Sequence, residues 1–183
     1  MTTFVGKEGK AAAKPDLNKR PNPRVIEFYL ADEQPYGVFS NLSPHPVIDY
    51  DGTLWPTVEH GYQAGKIRDA KVRAWLLSAP TPGLLAHTAQ NVFAPGSKHF
   101  KQYGNPEWDS VKIDRMLNLL QRKFAQHTNL RTLLLGTGDA ELVEAGFIDN
   151  PSGRFWGRVN GKGENWLGRL LMEVRDELRE GDG

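Results

Sequence analysis

Ile113, Met116, Leu117, Leu120 and Phe124 recur at i, i+3, i+4, i+7 and i+11 behind an Asn105-Pro106 start signal. That spacing predicts an amphipathic helix of about five turns, and the rest of the chain must cover its apolar stripe. A second stripe, Leu167, Leu170, Leu171, Val174 and Leu178, predicts a closing helix over 166–180. Between and before them the pattern changes period. "VIEFYL" (25–30) is β-branched and aromatic and reads as a strand, and "VIDYDGTLW" (47–55) reads as a hairpin turning at Asp51-Gly52. Thr57 is a natural N-cap for a helix over 57–67, 68–79 reads as another helix, and Thr81-Pro82 opens a short one over 83–90. A short helix follows "HTN", a strand is expected over 141–145, and 146–165 reads as a glycine-rich loop. The predicted fold is α+β: one mainly helical domain with a small antiparallel β-sheet built from the first strands.

Composition narrows the chemistry. With 183 residues the chain can bury a substantial core without staples. The absence of cysteine excludes disulfides, thiolate zinc sites and a cysteine nucleophile together. The amino terminus carries no hydrophobic signal core, which predicts a cytosolic protein, and no apolar run is long enough to span a bilayer. Residues 1–24 hold six cations (Lys7, Lys10, Lys14, Lys19, Arg20, Arg24) against Glu8 and Asp16, a local +4. The total is +1, so the remainder is −3, which argues against a broad nonspecific nucleic-acid surface. This tail (1–24) reads as a disordered leader, with a phosphate-touching basic arm as the alternative, and the folded domain as 25–180.

Three stretches carry chemistry. In "LWPTVEHGYQAGKI" (54–67), Glu59, Gln63 and Lys66 share one helical stripe, flanked by Trp55 and Tyr62. A solvated Glu/Gln/Lys face is the plain alternative. Glu59 in the first turn is favoured as a carboxylate by the helix dipole, which suits a base or a cation-stabilising group. Gly61 and Gly65, each costing roughly 1 kcal/mol in a helix, predict a backbone packed closely on that side. The second stretch is the 149–168 loop, with Asp149, Trp156 and Asn165 as its capable members and Gly157, Gly161 and Gly163 freeing backbone N–H groups for phosphate. The third is "YGVFSNL" (36–42), where Ser40 and Asn41 offer hydroxyl and amide groups beside Phe39. The plain reading there is a turn bonding its own backbone. "RKF" (122–124) reads as cations closing a helix C-terminus. The five histidines show no metal-ligand spacing, and no nucleophile turn is present.

Taken in order, "FYLADEQPYGVFSNL", "DGTLWPTVEHGYQAGKI", "RKFAQHTNLRTLLLGTGDAELVE" and "WGRVNGKGENWLGRLLMEVRDEL" resemble the YbiA/NADAR family over roughly residues 26–179. The resemblance implies an N-glycosidic bond hydrolase that needs no cofactor. Two substrates are implied. One is guanine ADP-ribosylated through nitrogen in DNA or RNA, with an ADP-ribosyltransferase toxin as functional counterpart. The other is a phosphorylated ribosylamino-pyrimidine intermediate of riboflavin synthesis. A non-catalytic ADP-ribose-binding module is the reading from another class. Carried over residue by residue, the family's pocket carboxylate falls on Glu59, its loop acid on Asp149 and its loop tryptophan on Trp156. Phe39, Ser40, Asn41, Trp55, Tyr62, Gln63, Lys66, Gly157 and Asn165 are the expected substrate-binding residues. This chain departs from the pattern in placing Asp149 seven residues before Trp156 instead of three, and Arg158 where an acid often follows Trp-Gly.

Overall fold

The computed structural model describes residues 24–146 and 148–181. The expected basic tail therefore lies, apart from Arg24, outside the described residues. The chain runs β1 (Val25–Phe28), a 3-10 turn (Tyr36–Phe39), β2 (Val47–Ile48), β3 (Leu54–Trp55), α1 (Val58–Lys66), α2 (Ala70–Leu77) and α3 (Pro82–Asn91). It continues through α4 (Lys98–Tyr103), α5 (Trp108–Gln126), α6 (Thr128–Gly136), β4 (Glu141–Glu144), α7 (Pro151–Trp156) and α8 (Trp166–Glu180). The fold is mainly helical with a small antiparallel pair, as the patterning predicts.

The long stripe behaves as the organiser. Met116, Leu120 and Phe124 are buried on α5, with Leu119 joining them, and α5 packs against α1 and α8. The closing helix contributes Leu167, Leu170, Leu171 and Val174 to the same core. A second, smaller cluster forms under α2 and α3 from Ile67, Leu76, Leu85, Ala89 and Phe93. Local caps fall where the residue types place them: Thr57 accepts from His60 N–H, Thr81 from Leu84 N–H, and Pro82 opens α3. The long helix starts two residues later than its Asn-Pro signal suggests, because Asn105 Oδ1 takes the Glu107 N–H at 3.0 Å and closes a turn first.

Three expectations need correction. The antiparallel pairing is confined to the β2–β3 hairpin, whereas β1 pairs in parallel with β4, Phe28 opposite Glu144. Parallel strands need a crossover, and here it contains all of α1 to α6. The loop over 146–165 is interrupted by α7, for which Asn150 is the N-cap (Oδ1 to Gly153 N–H, 2.7 Å) and Pro151 the first helical residue. The glycines of α1 are approached by side chains instead of backbone: a methyl at Gly61 would meet Leu119 at 2.8 Å and the Trp55 ring at 2.9 Å. Among the described residues, no helix is long and apolar enough to cross a membrane.

Candidate active site

A pocket of about 300 Å³ opens between α1, the turn after β1, the end of β4 and α7. Its polar lining includes Ser40, Asn41, Glu59, Gln63, Lys66 and Glu144, with Tyr62 and Trp156 among its rings. The α1 stripe is therefore the opposite of a solvated face: Glu59 is 8%, Gln63 3% and Lys66 5% exposed. One-turn spacing lets Gln63 Nε2 donate to Glu59 Oε1 at 2.8 Å. Lys66 Nζ, a turn further, donates to the Ala89 carbonyl at 2.8 Å.

Burial decides the protonation of these groups. Desolvation pushes the Glu59 pKa above the ordinary carboxylate range, against the opposing pulls of the Gln63 hydrogen bond and the Lys66 charge. The dipole argument made from sequence is thus outweighed. Burial likewise lowers Lys66 to about 8, partly countered by Glu59, so it remains a cation at neutral pH. Glu144 rises to about 7, first from desolvation and then from the negative charge of Glu59. The two carboxyl groups line one pocket, and the negative charge of Glu59 adds to the burial that favours the protonated form of Glu144. Among the described residues neither enters an ion pair, so no guanidinium or ammonium neutralises them at contact distance.

Glu144 escaped the sequence reading. It stands last in a four-residue strand, and only the parallel pairing with β1 brings it to the pocket. Its backbone is fixed from the far side by Asn165, whose Oδ1 accepts the Glu144 N–H (3.1 Å) while Nδ2 donates to Leu142 O (2.8 Å). Gly157 packs against the same spot: any Cβ there would collide with the Glu144 carbonyl oxygen. Asn165 and Gly157, expected to touch substrate, instead set the position of Glu144. A signal for this was present, since both residues that clamp the strand end lie in the conspicuous glycine-rich segment.

The other expected residues separate into two groups. Ser40, Asn41, Tyr62, Gln63, Lys66 and Trp156 come together with Glu59 around the pocket. Trp156 stands edge-on to Tyr62 with centroids 5.3 Å apart, and Tyr62 leans on Trp108 at 4.7 Å. Phe39 is wholly buried, packed on Phe28 and Tyr36, and supports the loop from beneath. Trp55 faces the other side of α1, where its Nε1 donates to Asp49 Oδ2 at 2.9 Å beside the Arg115–Asp49 ion pair. Asp149 is 48% exposed and clasped by Arg154 through two hydrogen bonds of 2.5 and 2.8 Å, which hold its carboxyl below the usual range. It is absent from the pocket lining formed by the described residues. Here the extra "NPSG" is used to cap and begin α7, which turns Asp149 outward toward Arg154.

The family model described as "NADAR domain" matches residues 27–179. The chain belongs to the NADAR family. It is 41% identical over 155 residues to "N-glycosidase YbiA" of Shigella flexneri serotype 5b (strain 8401), covering 84% of this chain and 88% of that one. It is 37% identical over 166 residues to "Riboflavin biosynthesis protein VVA0006" of Vibrio vulnificus (strain YJ016), covering 90% of this chain and 41% of that longer protein. The solution structure of Escherichia coli YbiA superposes with a TM-score of 0.73 at 35% identity, covering 91% of each chain. For a NADAR chain, the geometry therefore places the α1 carboxylate in the pocket together with a second acid from β4.

Proposed function

We propose that the protein hydrolyses ribosyl N-glycosidic bonds, and that its substrate is guanine ADP-ribosylated through nitrogen in nucleic acid. The observation that carries this reading is that buried Glu59 and partly buried Glu144 line one pocket, with Lys66 as a nearby cation. Breaking a C1′–N bond builds positive charge on C1′ and the ring oxygen, an oxocarbenium-like state of the kind formed in glycoside cleavage. Glu59, held by Gln63 and facing the charge of Lys66, is the member of the pair better stabilised as a carboxylate. It offsets the developing charge and accepts a proton from the attacking water. Glu144 keeps the shared proton near neutrality and delivers it to the departing base nitrogen, which leaves with the bonding electrons. Water oxygen becomes the C1′ hydroxyl, and solvent exchange returns the proton from one carboxyl to the other. The N-glycosidase name of the Shigella relative supports the reaction class.

A volume of about 300 Å³ is at the low end for small-ligand sites (roughly 300–1,000 Å³), enough for the ribosyl unit and the bond to be cut. Exposed Leu30 and Ile148 at the rim provide apolar surface for the flat remainder of a larger ligand. The second reading keeps the reaction and replaces the substrate with a phosphorylated ribosylamino-pyrimidine, and the name of the Vibrio relative favours it. Incubating the wild type with an ADP-ribosylated guanine oligonucleotide and, separately, with the ribosylamino-pyrimidine distinguishes the two. The proposal expects release of free ADP-ribose from the oligonucleotide. Cleavage of the pyrimidine alone transfers the assignment to the second substrate, and cleavage of neither overturns the reaction class.

A further inference from the structure

Among the described residues, two acceptors in this pocket have no hydrogen-bond donor. Gln63 donates its amide hydrogens toward Glu59, which directs its Oε1 elsewhere, and that oxygen is buried without a hydrogen bond. Asn41 is joined to the same carboxylate residue through the backbone, its carbonyl accepting the Glu59 N–H at 3.0 Å. The Asn41 side-chain Oδ1 is likewise buried and unbonded, although the residue is only 8% exposed. Its neighbour Ser40 differs, because Ser40 Oγ is engaged by the Leu42 N–H at 3.3 Å. A buried acceptor left unmatched costs free energy that a ligand donor recovers.

We propose that Asn41 Oδ1 and Gln63 Oε1 form a subsite that accepts hydrogen bonds from the vicinal 2′- and 3′-hydroxyls of a ribose ring. This rests on the ribosyl N-glycosidase reading and adds the part of the substrate that the α1 wall selects. Carbonyl oxygens cannot donate, so they repel phosphate, which offers acceptors only; Lys66, one turn along α1, is the group suited to phosphate. The leaving base belongs near Glu144, the proton donor. The sugar belongs near Glu59, to which both acceptor residues are directly bonded. A pentose presents two adjacent O–H donors at that place.

Calorimetric titration of the protein with ribose 5-phosphate and its 2-deoxy and 3-deoxy counterparts tests the assignment without requiring turnover. Each deoxy sugar is expected to bind the wild type about tenfold more weakly, since it strands a buried acceptor. Asn41→Ala is expected to erase one of these two losses and leave the other. A melting curve checks that the variant is folded, and Asn41→Ser serves if the alanine form is not. Equal affinity for all three sugars, no measurable binding of any, or both losses intact in a folded Asn41 variant would overturn the subsite. Base release from an N-ribosylated oligonucleotide reads the hydrolase assignment separately, so failure of one is distinguishable from failure of the other.

Discussion

Glu59→Gln is expected to lower kcat for base release by about 10²–10⁴-fold, with little change in KM. The substitution keeps the shape of the side chain and its place a turn before Gln63 but removes the negative charge that the proposed reaction uses to stabilise C1′. It also removes the charge that helps raise Glu144, so the remaining acid titrates lower and is less protonated at neutral pH. Asp149→Asn provides the contrast. Asp149 is half exposed, bonded to Arg154 and outside the pocket lining, so kcat/KM is expected to stay within about threefold, because uncoupled surface sites contribute little. Steady-state kinetics on one N-ribosyl substrate measures both. Wild-type turnover by Glu59→Gln, or collapse of Asp149→Asn, would return the catalytic role to the loop.

Lys123→Met is expected to carry the largest cost in stability. The side chain is 0% exposed, and its ammonium donates to Val38 O (2.5 Å), Ser40 O (3.2 Å) and Ser43 Oγ (2.7 Å). It therefore staples the loop that holds Asn41 against α1. Methionine fills the volume but leaves those acceptors without their donor, at about 1–3 kcal/mol for each one stranded. Burial lowers the lysine pKa to about 7 from the ordinary 10.5. Between these values the unfolded chain binds the proton that the folded chain has released, so this group adds stability as pH rises from about 7 toward 10. The stability gap between wild type and Lys123→Met should thus be wider at pH 9 than at pH 6. Urea denaturation at the two pH values measures it. An identical gap at both would show that the lysine keeps its proton throughout.

Lys123 also illustrates what local sequence conceals. "RKF" near a helix C-terminus has an ordinary explanation in the dipole, and nothing within a turn of it hints that the middle residue is enclosed by a loop eighty positions away. Whereas α4 is not read from the sequence, helices α1, α2, α3, α5, α6 and α8 were legible because their signals are local, such as the apolar spacing on α5 and α8 and the Thr57 and Thr81 caps, as was the Asp51-Gly52 turn. So was the α1 wall, since Glu59, Gln63 and Lys66 owe their common face to helical period alone. Glu144 was not, because a four-residue strand carries no periodic signature and its partner lies 116 positions earlier, Glu144 opposite Phe28. Asn150-Pro151 repeats the cap-plus-proline signal found at Thr81-Pro82, and α7 went unread only because the surrounding glycines suggested a continuous loop. Trp55 and Asn165 were assigned to substrate by residue type, yet hydrogen bonds to Asp49 and to the β4 backbone occupy them.

The central claim is that Glu59 and Glu144 share one proton and divide the work of cleavage. The pH dependence of kcat/KM in wild type and Glu144→Gln tests it most directly, with Lys66, lowered to about 8 by burial, as the competing titrating group. The account predicts a wild-type rate that falls as pH rises through about 7, where the pair loses its proton, and a Glu144→Gln enzyme that is slower and lacks this falling limb. A falling limb that persists unchanged in Glu144→Gln would contradict the account and assign the proton to another group.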